Sequence, residues 1–323
     1  MKTIHWAMIG TGDVTEKKSG PGFYKAKNSV LYGVTNRTLA KAEDYAKRHH
    51  VEKVFASVDD LLADPKVDAV YIATPPGSHK DYALRCAEAG TVCYIEKPIA
   101  LTYNEALEIS EAFKKANVKA FVAYYRRTLP RFTEVKVLLD AGTIGDVRFV
   151  NVAYYRPAAK DEINGTHWHV QPEISGGGIF MDMAVHTLDI LDFFFGAIEK
   201  VAAFSVNQAG YYAPEDNVAL SFAFDNHITG TGNWCFTTDT VADNIQIVGS
   251  KGEINFGCFT NDPIQLKTAE QETAIPAGTI EHVHQNLIQT IVDELNGQGS
   301  CPSTIESALR TAWVCDQVYQ QQD

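Results

Sequence analysis

The first 125 residues alternate short, continuously apolar runs with segments of helical period, and this alternation constrains the fold more than any other feature. The runs are Ile4–Ile9, Val30–Val34, Ala69–Ala73, Val92–Ile95 and Ala120–Tyr124; the helical patterns include Leu39–His49, His79–Ala89 and Asn104–Ala116. A strand that is apolar on both faces must be covered on both faces, and crossovers of helical length join parallel neighbours. The pattern therefore predicts a doubly wound parallel sheet of Rossmann type.

After about residue 145 the grammar changes. Val147–Tyr155, Val201–Val206, Asn217–Phe224, Thr229–Phe236, Asn244–Val248 and Glu253–Phe256 alternate polar and apolar residues and follow one another directly. Asp225-Asn226 and Ser250-Lys251-Gly252 read as hairpin turns. The prediction is an α/β second domain with an open, mainly antiparallel sheet, interrupted by helices near Ile179–Phe195 and His282–Leu295. The 323 residues suit two domains. The expected division is 1–125 for the dinucleotide-binding domain and 126–303 for a substrate-binding and oligomerisation domain. The last helix, 304–320, carries an apolar stripe expected to pack back on the first domain. An open sheet face needs cover, which points to a homodimer or homotetramer formed through it.

A net charge of −12 argues against nucleic acid and anionic membranes as partners, since both demand a basic face. The start, Met1-Lys2-Thr3, lacks the pattern of a signal peptide, and no run approaches the roughly 18–20 apolar residues of a membrane span. Six cysteines without CxxC spacing read as reduced thiols of a cytoplasmic protein. Close histidine pairs occur at His49-His50, His167/His169 and His282/His284, but none has a third ligand at zinc spacing, so no metal is expected.

The first strand ends in Ile9-Gly10-Thr11-Gly12-Asp13-Val14-Thr15. Gly10 permits a tight turn and Gly12 lets backbone approach a pyrophosphate, which marks Gly10, Gly12, Asp13 and Val14 as cofactor-binding candidates. Ser19-Gly20-Pro21-Gly22 cannot lie inside a long helix, so a loop over Thr11–Lys18 is expected, with Ser19 capping the helix that follows. After the second strand come Thr35-Asn36-Arg37-Thr38, with no acid for a ribose 2′-hydroxyl. Arg37, beside Asn36, can pair with a 2′-phosphate, so NADP(H) is favoured over NAD(H).

Glu96-Lys97-Pro98 follows a parallel strand at its carboxyl end, the ligand edge of such sheets. Much later, Gly176-Gly177-Gly178 opens a helix on which Asp182 and His186 are four apart and share a face. With Thr74-Pro75-Pro76, His79 and the Tyr125-Arg126-Arg127 region, these pieces make the whole chain resemble the Gfo/Idh/MocA oxidoreductases, which include glucose–fructose oxidoreductase and inositol dehydrogenase. The resemblance implies a catalytic group of Lys97, Asp182 and His186, with Thr74, Pro75, His79, Glu96 and Lys97 at the cofactor. Thr15 departs from the family's small residue and Tyr125 from its common asparagine.

The implied reaction moves a hydride between nicotinamide and a secondary alcohol or ketone of a sugar, polyol or keto-sugar. His186 exchanges the hydroxyl proton, Lys97 polarises the oxygen, and Asp182 orients His186 or holds a neighbouring hydroxyl. Two other functions share the pattern: a glycoside-cleaving enzyme using transient oxidation, and a nucleotide-responsive regulator. Each residue also has a plainer reading: Lys97 as a surface lysine, His186 as a packed histidine, Asp182 as a first-turn acid. Tyr125, Arg126, Tyr155, His167, Trp168 and His169 are the substrate candidates. Strand alternation puts only some of Tyr154, Tyr155 and Arg156 on one face.

Overall fold

A computed structural model describes residues 1–321, which form two compact units: residues 1–128 with 280–309, and residues 129–279 with the segment from Arg310 onward. The first unit runs β1 (Ile4–Ile9), α1 (Asp13–Lys17), α2 (Gly20–Lys25), β2 (Ser29–Thr35), α3 (Leu39–His49), β3 (Lys53–Val54), α4 (Val58–Leu62) and β4 (Ala69–Ile72). It continues with α5 (His79–Glu88), β5 (Val92–Ile95), α6 (Tyr103–Ala116) and β6 (Ala120–Val122). All six strands are parallel, in the order β3-β2-β1-β4-β5-β6. The order reverses between β1 and β4, the switch point at which doubly wound sheets bind ligands. Ile9 pairs with Ile72, Ile72 with Ile95, and Ile95 with Val122, so Gly10, Ala73 and Glu96 leave the sheet along one edge. Beneath that edge Trp6, Met8, Phe23, Tyr71 and Tyr94 are fully buried.

The second unit contains α7 (Pro130–Asp140), β7 (Val147–Tyr155), α8 (Lys160–Ile163), α9 (Pro172–Ser175), α10 (Ile179–Phe195) and β8 (Ile198–Val206). Then come β9 (Asn217–Phe224), β10 (Thr229–Cys235), β11 (Ala242–Gly249), β12 (Gly252–Phe256), β13 (Ile264–Thr268) and β14 (Glu272–Ile275). They form one sheet in the order β14-β13-β12-β11-β7-β10-β9-β8. It is antiparallel except where β10 runs parallel to β7. The alternation in sequence is an alternation of burial: Val218, Leu220, Phe222 and Phe224 of β9 point into the core with Trp234 of β10. Phe180 of α10 meets the Trp234 ring edge-on, with centroids 5.4 Å apart, so α10 lies on that face. The other face bears Phe149, Ser221, Thr231 and Phe204, the last 80 % exposed.

Four features differ from the sequence reading. Asp13–Lys17 is a helical turn rather than a loop; Ser19 does stand at the N-cap of α2, but its hydroxyl turns back to donate to the Val14 carbonyl at 3.1 Å. β13 and β14 were not anticipated: β13 alternates buried Ile264 and Leu266 with exposed Gln265 and Lys267 over only five residues, and the edge strand β14 has no apolar alternation. The helix α11 (Gln285–Leu295) belongs to the first unit, where Leu287, Ile288, Ile291 and Val292 join the core around Phe23 and Trp6. The helix α12 (Ile305–Gln320) is shared: Ser303 and Thr304 at its start pair with Val122 and Phe121, whereas Arg310 forms an ion pair with Asp192 at 2.6 Å and the Tyr319 hydroxyl donates to Glu215 at 2.7 Å. Its apolar stripe alone could not distinguish these partners.

Candidate active site

The turn after β1 is built on two glycines with different duties. Gly10 has φ +95°, and a Cβ added there would lie 2.8 Å from the Ala73 carbonyl oxygen. Only glycine satisfies both conditions. Gly12 is the N-cap of α1, with φ −92° and ψ −174°, and a Cβ added there would meet nothing within 4 Å. Bare backbone at the carboxyl edge of a parallel sheet is a cradle that fits a dinucleotide's diphosphate. Thr15 serves the turn: its N–H and hydroxyl both donate to the Gly12 carbonyl, at 2.9 and 2.7 Å. The close packing expected of a third fingerprint glycine falls to Gly20, where a Cβ would strike the Thr15 carbonyl and the Tyr45 hydroxyl. Asp13 is exposed and Val14 packs on the core, so the turn offers its backbone rather than these side chains.

At the end of β2 the Asn36 amide donates to the Thr11 hydroxyl at 2.8 Å and its oxygen accepts from the Thr38 N–H at 2.9 Å. Asn36 thereby ties the two loops together, and Arg37 beside it is exposed. Thr74 accepts from the Ser78 hydroxyl at 2.8 Å, and Pro75 is exposed. His79, read from sequence as a cofactor contact, is fully buried with its ring nitrogens 2.7 Å from the Thr74 carbonyl and 2.9 Å from the Pro98 carbonyl. Burial lowers its proton affinity, against the pull of these carbonyls. Its place is that of a brace joining the turn after β4 to the Lys97–Pro98 loop, whose connecting peptide is cis.

Lys97 follows β5 and is half-buried. Its N–H donates to Glu96 Oε2 at 3.1 Å, and Glu96 Oε1 accepts from the Tyr71 hydroxyl at 2.5 Å. Burial raises the Glu96 carboxyl above its ordinary value, opposed first by the Tyr71 bond and then by the Lys97 charge. His284, at the N-cap of α11, has Nε2 at 3.6 Å from Glu96 Oε1 and Nδ1 at 2.9 Å from the Tyr94 hydroxyl. The Tyr125 ring lies against the imidazole at 4.6 Å, and Arg126, itself buried, reaches the Tyr125 hydroxyl at 3.1 Å. Sequence reasoning missed His284, because it lies 190 residues from Tyr94 and its neighbour His282 suggested only a metal pair.

The second unit gathers Asp182, His186, His169 and Trp168. Gly178 caps α10, and its N–H donates to Glu215 Oε1 at 3.1 Å. Asp182, in the first turn, lies 3.6 Å from His169 Nε2, and the Trp168 and His169 ring centroids are 3.8 Å apart. His167 lies 3.8 Å from Asp161. The buried Glu162 takes two bonds from Arg156, at 2.6 and 2.9 Å, which anchor the segment leading to His167. His186 is 4 % exposed, and its ring stands edge-on to Phe259 at 6.0 Å. Phe259 sits in a clamped loop: Asp243 accepts the N–H groups of Cys258, Phe259 and Thr260 at 2.6–2.8 Å, and Arg131 donates to the Gly257, Thr260 and Asp262 carbonyls. Tyr154 packs on Phe259 at 4.6 Å, so Tyr155 falls on the opposite face of β7, away from His186. Among the described residues no three His, Cys, Asp or Glu side chains group as metal ligands, and no helix is long and apolar enough to cross a membrane.

The switch-point turn and the parallel order define a dinucleotide-binding Rossmann protein with a second, sheet-bearing domain. Residues 4–124 match the NAD-binding Rossmann fold of an oxidoreductase family, and residues 132–255 match the GFO/IDH/MocA C-terminal domain. The chain belongs to the Gfo/Idh/MocA family of oxidoreductases. It is 37 % identical over 320 residues to Oxidoreductase P35 of Formosa agariphila, covering 97 % of each chain. It is 28 % identical over 280 residues to the scyllo-inositol 2-dehydrogenase (NAD(+)) of Bacillus subtilis, covering 83 % of this chain and 78 % of that one. Among solved structures, aldose–aldose oxidoreductase from Caulobacter crescentus, complexed with glycerol, superposes with a TM-score of 0.89 at 20 % identity, covering 99 % and 97 %.

Proposed function

We propose that this oxidoreductase transfers a hydride between NAD(P) and a secondary alcohol or ketone of a sugar, polyol or keto-sugar, with Lys97, Asp182 and His186 as its catalytic group. The observation that carries the reading is Lys97 at the carboxyl edge of the parallel sheet, on the same edge as the bare Gly12 turn, in a chain of this family. The inositol and aldose substrates named for its relatives support the polyhydroxylated class.

When bound, the nicotinamide supplies the hydride chemistry. Lys97 donates to the reacting oxygen and stabilises negative charge as it develops there. His186 accepts the hydroxyl proton in oxidation and returns it in reduction. Asp182, held by His169, aligns the substrate's neighbouring hydroxyl, and Trp168 offers its ring to the sugar face. His167, Tyr125 and Arg126 complete the substrate set. NADP(H) is the favoured nucleotide because the loop after β2 carries Arg37 and no carboxylate. Six cysteines, none bonded to another, support a reducing compartment such as the cytoplasm. The exposed sheet face with Phe149 and Phe204 supports pairing with a second copy.

The test is absorbance of reduced nicotinamide when the protein is mixed with NADP or NAD and a panel of sugars, inositols and sugar acids. Reduction with one alcohol establishes the reaction, its substrate class and its nucleotide. Nucleotide retained through purification, with glycoside cleavage and no net reduction, replaces this reading with the transient-oxidation one.

A further inference from the structure

The carboxyl edge of the first unit holds a buried polar cluster around Glu96, and hydride transfer assigns no task to its members Tyr71, Tyr94 and His284. Tyr71 comes from β4, Tyr94 from β5, Glu96 from the end of β5 and His284 from the N-cap of α11. His284 is 0 % exposed, the Tyr71 and Tyr94 rings stack at 5.0 Å, and Tyr125 covers the imidazole. A polar ring fully removed from water in an aromatic setting is destabilising unless its nitrogens are engaged. Nδ1 is engaged by the Tyr94 hydroxyl at 2.9 Å, whereas Nε2 has no hydrogen-bond partner and stands 3.6 Å from Glu96 Oε1.

Proton counting assigns the ring. Burial, followed by the charges of Lys18, Lys97 and Arg126, pushes His284 down to about 3, so the ring is neutral and carries one N–H. In the tautomer whose Nδ1 accepts from the Tyr94 hydroxyl, that N–H is on Nε2, facing the carboxylate. Glu96 therefore accepts two hydrogen bonds, from the Tyr71 hydroxyl and the Lys97 N–H, and the His284 Nε2–H dipole faces it from 3.6 Å, beyond hydrogen-bond length. The charges facing Glu96 are those of Lys97 and Lys18.

We propose that His284 is a positioning residue for Lys97: its Nε2–H helps hold Glu96 ionised directly under the Lys97 backbone, and the Glu96 carboxylate in turn seats the Lys97 ammonium for its task on the reacting oxygen. The catalytic part of this assignment rests on the hydride-transfer reading; the effect on Glu96 does not. Removing Nε2–H takes away a nearby dipole that favours the charged carboxylate, which shifts Glu96 toward its protonated form.

The experiment is infrared spectroscopy of the full chain across neutral and acid pH, with Glu96→Gln to assign the Glu96 carboxyl band. His284→Leu is expected to move the midpoint at which that band appears upward by about one unit or more. Tyr94→Phe, which frees the ring without changing the packing, moves it the same way by less, and His284→Gln, which keeps an amide N–H, restores part of the shift. Far-ultraviolet circular dichroism checks folding; if His284→Leu does not fold, Tyr94→Phe decides. A Glu96 titration unchanged in the folded variants overturns the assignment. Where the wild type turns over a substrate, His284→Leu lowers kcat about tenfold with little change in nucleotide affinity, since a misplaced catalytic group acts on rate rather than binding. Silence of the wild type on every alcohol overturns the hydride-transfer reading alone, and the infrared midpoint still decides the role of His284.

Discussion

Gly12→Ala should separate nucleotide binding from folding, and the two neighbouring glycines make opposite controls. At Gly12 the backbone has φ −92°, which alanine adopts, and the new methyl meets nothing within 4 Å. Alanine restricts the unfolded chain, stabilising by about 0.4–1 kcal/mol, while its poorer N-cap behaviour removes about the same amount. Net stability should stay within about 1 kcal/mol of the wild type. The methyl instead projects into the space where a diphosphate would rest on bare backbone. Losing one charge-assisted hydrogen bond there removes about 1.5–3 kcal/mol, or roughly 10–100-fold in affinity. Gly10→Ala reverses the pattern. Its φ of +95° and the Ala73 oxygen 2.8 Å away force strain of about 2 kcal/mol or more, expected to lower Tm by about 4–8 °C. The assay is titration of reduced nicotinamide fluorescence beside a thermal unfolding scan. A Gly12→Ala protein that binds NADPH and NADH as tightly as the wild type would refute the placement of the diphosphate on this turn.

Lys97→Met should lower kcat at least about 10³-fold while nucleotide Kd stays within a few-fold; retained turnover would remove Lys97 from the catalytic group. Arg37→Ala should weaken NADP(H) binding about tenfold and leave NAD(H) unchanged, read by the same fluorescence titration, and equal effects on both nucleotides would count against a 2′-phosphate site. Glu16, bound by Arg48 at 2.7 and 2.8 Å and also by His49, is held down to about 2, chiefly by the Arg48 hydrogen bonds. A depressed carboxyl stabilises the fold above its ordinary value of 4.5, and that contribution is lost as pH falls toward 2. The wild type should therefore exceed Glu16→Gln in stability by about 1 kcal/mol near neutrality, with the gap closing in acid; a gap independent of pH in denaturant titrations would contradict this. Light scattering should find a dimer or tetramer that Phe204→Glu shifts toward monomer, and a monomeric wild type would rule out pairing through the open sheet.

Much of the architecture was written locally. Ile4–Ile9, Val92–Ile95 and Ile179–Phe195 could be read to the residue, because continuous apolar runs and long apolar helices are signals carried by neighbours in sequence. The same holds for Gly10, whose positive φ is a property of one backbone position. The candidate site was legible as a set of residue types rather than as an arrangement. His79 looked like a ligand contact and is a buried brace, because a histidine's role depends on which carbonyls reach it. Tyr154 and Tyr155 were equivalent until β7 took its place in the sheet, with Tyr154 against Phe259.

The sequence by itself determined a parallel, doubly wound first domain, an open sheet in the second and a glycine turn at the switch point. These follow from periodicity and from backbone constraints, which act over a few residues. Tertiary structure alone decided that α11 completes the first unit's core, that Gly20 supplies the close packing of a third fingerprint glycine, that Asp182 faces His169, and that His284 lies beside Glu96. Each of these pairs residues distant in the chain through burial. Burial sets both the partner and the proton affinity of a polar group, and it exists only once the chain has folded.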